Sequence, residues 1–150
     1  MKDADLKSYR EKFVEEFEEP TILTVNKDGL FKNAEKTGDR DAHGGVSWID
    51  YWRAITRNHA TILHCSSCGK EIVIGEPTFG QKVDWELSGE TEDQHKAEGG
   101  HIWLTPPKDA DWRGGRYITP LCPDCNAQRG KQIVLKEGSV LCKEIGANCD

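Results

Sequence analysis

The chain has 150 residues, 36% of them hydrophobic, with a formal net charge of −6 and a pI near 5.4. This length fits one globular domain, or a small domain with an extension. The negative net charge gives no global electrostatic reason to expect nucleic-acid binding. No apolar run approaches the ~20 residues that cross a bilayer. The charged start MKDADLKSYREKF has no apolar signal-peptide segment, so we expect a cytoplasmic protein with no membrane partner.

Residues 1–45 predict an N-terminal extension. Apolar residues recur at helical spacing over 5–18, and Pro20 closes that segment. Residues 21–33 predict a β-hairpin that turns at the Lys27-Asp28-Gly29 sequence, followed by a polar linker to residue 45. The other face of the helix is acidic, which is typical of a solvated surface and also suits a protein partner.

Residues 46–150 predict the main domain. A helix begins at Ser47, with Asp50 three residues on in a capping-box pattern and aromatic residues along one face. The strand-like segments ATILH and EIVI flank the first cysteine pair. Residues 76–100 hold seven acids against two lysines and predict a long acidic loop. HIWLT and RYITPL read as further strands, and QIVLKEGSVLCKEI predicts a closing hairpin that turns at Glu137-Gly138.

Four of the six cysteines form two C-x-x-C pairs. In a reducing compartment such pairs more often bind metal than form disulfides. Two disulfides or a redox dithiol are the alternatives, but redox C-x-x-C motifs normally occur singly. Two pairs supply the closed tetrahedral thiolate site of a structural zinc ion. The predicted zinc ligands are Cys65, Cys68, Cys122 and Cys125.

The second cysteine pair also predicts its own local structure. Pro123 suits the first position of a helix, and Asp124 is favourable near a helix N-terminus. A short helix is therefore expected to run to about Arg129, with Gly130 ending it. A cysteine turn, a hairpin and a helix that carries the second ligand pair describe a treble clef. We predict an α+β, zinc-stapled treble-clef domain with an N-terminal helix and hairpin extension.

The order C-x-x-C, a strand reading GGHIW and the segment LCPDCNAQRGK resembles the HNH, or ββα-metal, endonucleases. The chain is most similar to the phage recombination endonuclease type, in which four cysteines hold zinc and an asparagine follows the last cysteine. It also resembles uncharacterised bacterial HNH-like proteins that carry a PLCxxCN segment. The resemblance covers about residues 63–131 and none of the N-terminal 45 residues.

The resemblance implies roles for two residues. His101 matches the strand histidine that acts as general base, and Asn126 matches the helix residue that helps to hold a catalytic Mg²⁺. The remaining ligand position is Gly100, which has no side chain, whereas Mg²⁺ normally takes at least one carboxylate. An aspartate at position 100 is expected to improve ion binding, provided that the strand places its side chain beside Asn126. The alternatives are a structural or substrate-contacting His101 and an Asn126 that ties the helix to the hairpin.

Three functions follow from these patterns. The leading hypothesis is a zinc-binding HNH-like protein whose catalytic site is degenerate and which binds nucleic acid, DNA or RNA, or a protein partner. The second is an active, Mg²⁺-dependent endonuclease with a rearranged ligand set. The third is a protein-interaction module that uses the acidic helix or loop. The candidate phosphate contacts are Arg116, Arg129 and Lys131, and they support the first two hypotheses only if they share a face with His101.

Overall fold

The structure is a computed structural model, and it describes residues 2–34, 41–74, 95–104 and 115–145. The described part is a small α+β domain with three α-helices and an antiparallel sheet. The elements are α1 (Asp3–Phe17), β1 (Ile22–Thr24), β2 (Gly29–Asn33), a 3₁₀ turn (His43–Gly45), α2 (Trp48–Thr56), β3 (Ile62–His64), β4 (Glu71–Val73), β5 (Glu98–Trp103), β6 (Arg116–Leu121), α3 (Pro123–Asn126), β7 (Gln132–Leu135) and β8 (Val140–Lys143).

The two predicted N-terminal helices are confirmed. Helix α1 buries Leu6 and Phe13 and leaves its acidic face in solvent. Helix α2 begins as expected, because the Ser47 hydroxyl oxygen accepts a hydrogen bond from the Asp50 backbone N–H at 3.2 Å. Phe13 packs edge-on against Tyr51 at a centroid distance of 5.4 Å, which joins the two helices.

Helix α2 fixes the position of the sheet through its aromatic residues. The Tyr51 hydroxyl donates to the Lys143 carbonyl, and the Trp52 indole N–H donates to the Val140 carbonyl at 2.9 Å. Both acceptors lie on β8, so two large rings are buried without leaving their polar atoms unpaired. The aromatic face predicted for this helix is therefore part of the core.

Neither predicted hairpin forms. β1 pairs with β8 and β2 pairs with β7, so each expected hairpin partner is replaced by a strand from the other end of the chain. Ile22 lies opposite Cys142 and Gly29 lies opposite Leu135, and both segments advance by seven residues between these pairs. The segments 22–33 and 131–143 are thus one long antiparallel ribbon with a shared bend.

The backbone explains why these glycines bend a ribbon instead of closing hairpins. Gly29 lacks the positive φ that a tight Asp-Gly hairpin turn needs. Gly138 has φ +89°; its N–H donates to the Val25 carbonyl, while the Val25 N–H donates to the Ser139 carbonyl. This is the hydrogen-bond pattern of a G1 β-bulge, in which glycine occupies the left-handed position. Gly130, at φ +75°, makes the same pattern opposite Asn33.

Strands β5 and β6 close the sheet. The strand order is β1-β8-β6-β5-β2-β7, with every neighbouring pair antiparallel. β1 and β2 lie along one side of the ribbon, and β7 and β8 lie along the other. Because β2 also pairs with β5, β5 with β6, and β6 with β8, the strand pairings form a closed ring. The short hairpin β3–β4 is a separate two-stranded sheet that carries the first cysteine turn, as predicted for ATILH and EIVI.

Parts of the predicted acidic loop are ordered. Residues 76–94 lie outside the described residues, but β5 begins at Glu98, and the Ala97 N–H donates to the Val73 carbonyl at 2.8 Å. The loop prediction is therefore wrong for residues 95–100. The division at residue 45 stays a prediction, and the strands before it share one sheet with the strands after it. Within the described ranges, no helix is both long and apolar enough to span a bilayer.

The Gly138 bulge generates a stability prediction. An added Cβ at Gly138 meets no atom within 4 Å, so Gly138→Ala changes only the cost of positive φ. We expect a loss of about 1–2 kcal/mol in the free energy of unfolding, measured by urea denaturation. Gly138→Asn should lose less, because asparagine adopts this conformation more readily. Equal losses for the two variants would contradict the bulge.

Candidate functional site

The two C-x-x-C pairs converge on one point. The Sγ atoms of Cys65, Cys68, Cys122 and Cys125 all lie within 4.8 Å of one another, and those of Cys68 and Cys122 are 3.8 Å apart. A tetrahedron with a Zn–S distance of about 2.3 Å has S–S edges of about 3.8 Å. Three of the cysteines are buried and Cys68 is exposed. The geometry fits one tetrahedral metal ion with four thiolate ligands, as the sequence predicted for zinc.

Local backbone geometry prepares both halves of this cluster. In the turn between β3 and β4, Gly69 at φ +81° donates its N–H to the Cys65 carbonyl, and the Cys65 N–H donates to the Lys70 carbonyl. In the other half, Cys122 caps α3, and its Sγ accepts a hydrogen bond from the Cys125 N–H at 3.4 Å. Helix α3 ends at Asn126, earlier than the predicted Arg129. Gly130 does not end the helix but forms the β-bulge opposite Asn33.

Ser66 joins the cysteine turn to the sheet. Its N–H donates to the Pro120 carbonyl on β6, and its carbonyl accepts from the Lys136 N–H beyond β7. Its hydroxyl lies 2.6 Å from the Thr119 hydroxyl, and both side chains are buried. The sequence did not predict this role of Ser66, because the residues between the two cysteines of a C-x-x-C turn can be of many types.

The thiols are too close together to ionise independently. A hydrogen bond from Cys122 lowers the pKa of Cys65 to about 4, while the same interaction raises the pKa of Cys122. Burial raises the pKa of Cys125 to about 11. A bound Zn²⁺ would compensate the negative charge of thiolates held this close together. The ion's role would be structural, since four protein ligands leave no position for water.

His101 lies on the face of β5 that packs against α2. Its Nδ1 is 3.1 Å from Glu144 Oε2, and its ring meets the Trp48 ring edge-on at 5.1 Å. Both side chains are almost fully buried, with exposures of 8% for His101 and 6% for Glu144. His101 is therefore an interior residue with a carboxylate partner that the sequence did not reveal.

Arg116 belongs to the same interior cluster. Its Nη2 donates to Glu144 Oε1 at 2.8 Å, and its guanidinium lies 5.9 Å from the centre of the Trp103 ring. Only 5% of Arg116 is exposed, so the guanidinium is not on the surface where a phosphate would contact it. Glu144 thus accepts from Arg116 on one oxygen and neighbours His101 on the other.

Asn126 lies on the other side of β5. Its side-chain amide donates to Glu98 Oε1 at 3.1 Å, and the Asn33 amide donates to the Asn126 carbonyl at 3.1 Å. Glu98 and His101 are three positions apart on one strand, so their side chains point to opposite faces. The structure does not bring the side chains of His101 and Asn126 together. It adds Glu98, which has no motif position, as the carboxylate beside Asn126.

Gly100 is glycine because its neighbours leave no room for a side chain. A Cβ at this position would lie 2.2 Å from Leu121 Cδ1 and 2.8 Å from Leu121 Cγ, and Leu121 is fully buried. The expectation that aspartate at position 100 improves ion binding stays a prediction: an added Cβ would lie 3.3 Å from Asn126 Oδ1, but Leu121 would first have to be displaced. The same reasoning applies to Gly99, whose Cβ would lie 2.7 Å from the backbone of α2.

The remaining predicted residues are at the surface or in the core. Arg129 and Lys131 are exposed in the segment after α3. Cys142 is fully buried in β8, and burial raises the pKa of its thiol. Cys149 lies outside the described residues. Comparisons of the chain with protein-family profiles, with curated proteins and with solved structures found no match.

The cysteine cluster generates a prediction of metal content. The purified protein should contain one zinc ion per chain, measured by inductively coupled plasma mass spectrometry, and a Cys125→Ser variant should lose it. Zinc binding contributes on the order of 10 kcal/mol that is also folding free energy, so this variant should unfold at much lower urea. Cys142→Ser, a buried cysteine outside the cluster, is the control and should keep its zinc. A metal-free wild-type protein with cysteine disulfides would contradict the assignment.

The buried Glu144 cluster generates a second prediction. Glu144→Ala leaves Arg116 without its carboxylate and His101 without its neighbour, so it should cost about 3 kcal/mol in the free energy of unfolding. Glu144→Gln keeps an oxygen acceptor for Arg116 and should cost less. Urea denaturation measures both, with the exposed Glu11→Ala on α1 as the control. A loss below about 0.5 kcal/mol for Glu144→Ala would contradict the buried pairing.

Proposed function

We propose that this chain is a zinc-stapled, treble-clef, HNH-like binding protein that does not hydrolyse phosphodiesters. Two residues match the nuclease motif, His101 and Asn126, and the burial of the first against Trp48 carries the proposal. Each is engaged with its own acid, Glu144 in one case and Glu98 in the other.

The surroundings of His101 support a structural role. A general base has to reach the attacking water, and its proton transfer has to be coupled to an ion that stabilises the leaving oxygen. His101 is buried between Trp48 and Glu144, away from the Asn126 side of the strand. This burial limits the access of His101 to an attacking water.

The basic residues do not gather around His101 either. Arg116 is inside the protein, whereas Arg129 and Lys131 are exposed beyond α3. An active nuclease needs its phosphate contacts on the face of its general base. This separation weighs against nucleic-acid binding as well as cleavage and favours a protein partner, for which Arg129 and Lys131 remain as exposed bases.

A specific observation favours one second candidate, an active endonuclease with a rearranged ligand set. Glu98 lies two residues before Gly100 on the same face of β5, and its carboxylate is hydrogen-bonded to Asn126. A carboxylate and an amide are both ligands that Mg²⁺ takes in proteins. In this candidate Glu98 replaces the ligand that Gly100 cannot supply, and another residue acts as the base.

Cleavage assays separate the two candidates. The zinc-loaded protein, incubated with supercoiled plasmid and with branched DNA at millimolar Mg²⁺ or Mn²⁺, should give no more product than a buffer control. Gly100→Asp should not gain activity and should be destabilised, because its Cβ meets Leu121. Gly29→Asp is the matched control for the added charge, because Gly29 lacks a positive φ and an added Cβ there meets its neighbours at 3.4 Å or more.

Two outcomes would replace the proposal. Robust cleavage abolished by Glu98→Gln would establish the rearranged ligand set. Cleavage abolished by His101→Ala, in a variant that keeps its zinc and its fold, would show that the histidine reaches the substrate. Preparations of both variants with full zinc content are needed, so that loss of activity is not loss of structure.

A further inference from the structure

The outer face of the β2–β7 pair carries exposed apolar side chains. Leu30 is 63% exposed and Val134 is 42% exposed, and the two residues lie directly opposite each other across the strands. Their chain neighbours Phe31 and Ile133 point to the core instead. Lys32 and Gln132 lie opposite each other next to this pair. We call the surface formed by these four residues the β7 face.

Strand β7 also has an open backbone edge. The Asn33 N–H donates to the Lys131 carbonyl, so this pair is a hydrogen-bonded one. Hydrogen-bonded and non-hydrogen-bonded pairs alternate along an antiparallel ladder, so Gln132 and Val134 direct their N–H and C=O groups away from β2. Among the described residues, no backbone group bonds to these outward groups. The next outward N–H, that of Lys136, is already bound to Ser66, which marks the end of the open edge.

The charge of this region is opposite to that of the whole chain. Residues 26–33 and 129–138 contain five bases against two acids, a net of +3 in a chain whose net charge is −6. One acid, Asp28, already accepts a hydrogen bond from the Glu137 N–H at 2.7 Å. Lys131 and Lys136 are both exposed and stand at the two ends of β7.

We propose that the β7 edge binds an extended acidic peptide segment of a partner protein as an added strand. Backbone hydrogen bonds to Gln132 and Val134 would supply affinity, as in other strand-addition complexes, and an apolar peptide residue would cover the Leu30–Val134 pair. Acidic residues at the two ends of the peptide strand would meet Lys131 and Lys136. The inference rests on the proposed binding function and names the class of partner.

Other occupants fit the β7 face less well. If β7 paired with β7 of a second copy, two regions that each carry a net charge of +3 would lie side by side, and like charges across a strand pair are destabilising. A single-stranded nucleic acid would find aliphatic side chains at the centre of the face, whereas such ligands are held by aromatic stacking.

Fluorescence anisotropy with a fluorescein-labelled peptide of sequence EEVTVEE tests the proposal. The zinc-loaded protein should bind it saturably. Val134→Asp should weaken binding at least about tenfold, and so should the double variant Lys131→Glu, Lys136→Glu. The double variant Lys7→Glu, Lys12→Glu on α1 makes the same change of charge at exposed positions outside the β7 face and should bind like the wild type. A peptide methylated on alternate backbone nitrogens should lose binding if the outward N–H and C=O groups are the contacts.

Several results would overturn the proposal. The absence of saturable peptide binding would do so, as would binding that is unchanged by Val134→Asp in a variant that retains its zinc. Self-association that disappears in Val134→Asp would assign the face to a second copy, and tight binding of single-stranded DNA in place of the peptide would assign it to nucleic acid. The plasmid assay tests the non-hydrolytic function separately, so its failure is distinguishable from failure of this inference.

Discussion

The backbone of Ser66 holds the cysteine turn in the gap where β6 separates from the segment that contains β7 and β8. β6 pairs with β8 only as far as the Ile118–Cys142 pair, after which the two chains separate. Buried N–H and C=O groups in such a gap are costly unless they find partners. Ser66 supplies both, to Pro120 and to Lys136, and so brings Cys65 and Cys68 to the side of α3. Ser66 thus ties the cysteine turn to both sides of the gap, and its bond to Lys136 marks the end of the outward groups on β7 that have no backbone partner among the described residues.

The Gly99-Gly100 pair lets two layers pack closely on β5. Gly99 leaves room for the backbone of α2 on one face, and Gly100 leaves room for Leu121 on the other. Position 100 is also where the resemblance to nucleases would place a metal ligand. A side chain there would have to displace Leu121, which is fully buried in the core.

Local sequence patterns correctly predicted the features that depend on neighbouring residues, namely the helices, the helix cap and the cysteine turns. The apolar spacing located α1 and α2, the cap at Ser47 marked where α2 begins, and two C-x-x-C turns identified the metal cluster. Strand pairing was predicted wrongly, because Asp28-Gly29 and Glu137-Gly138 are typical of hairpin turns, and only their distant partners make them a bend. The acids beside His101 and Asn126 were missed for the same reason: Glu144 and Glu98 reach them through tertiary structure.

The long ribbon has a consequence for how the chain acquires its structure. Ile22 and Cys142 are paired in the sheet but stand 120 positions apart in the sequence. Closing so long a loop costs entropy before any contact compensates for it, and folds rich in such contacts form slowly. During synthesis, β1 and β2 emerge long before β7 and β8. Until those partner strands are made, the backbone groups and apolar side chains of β1 and β2 remain exposed to solvent. The period between the first strand and the last is when this chain is most exposed to aggregation and most dependent on chaperones.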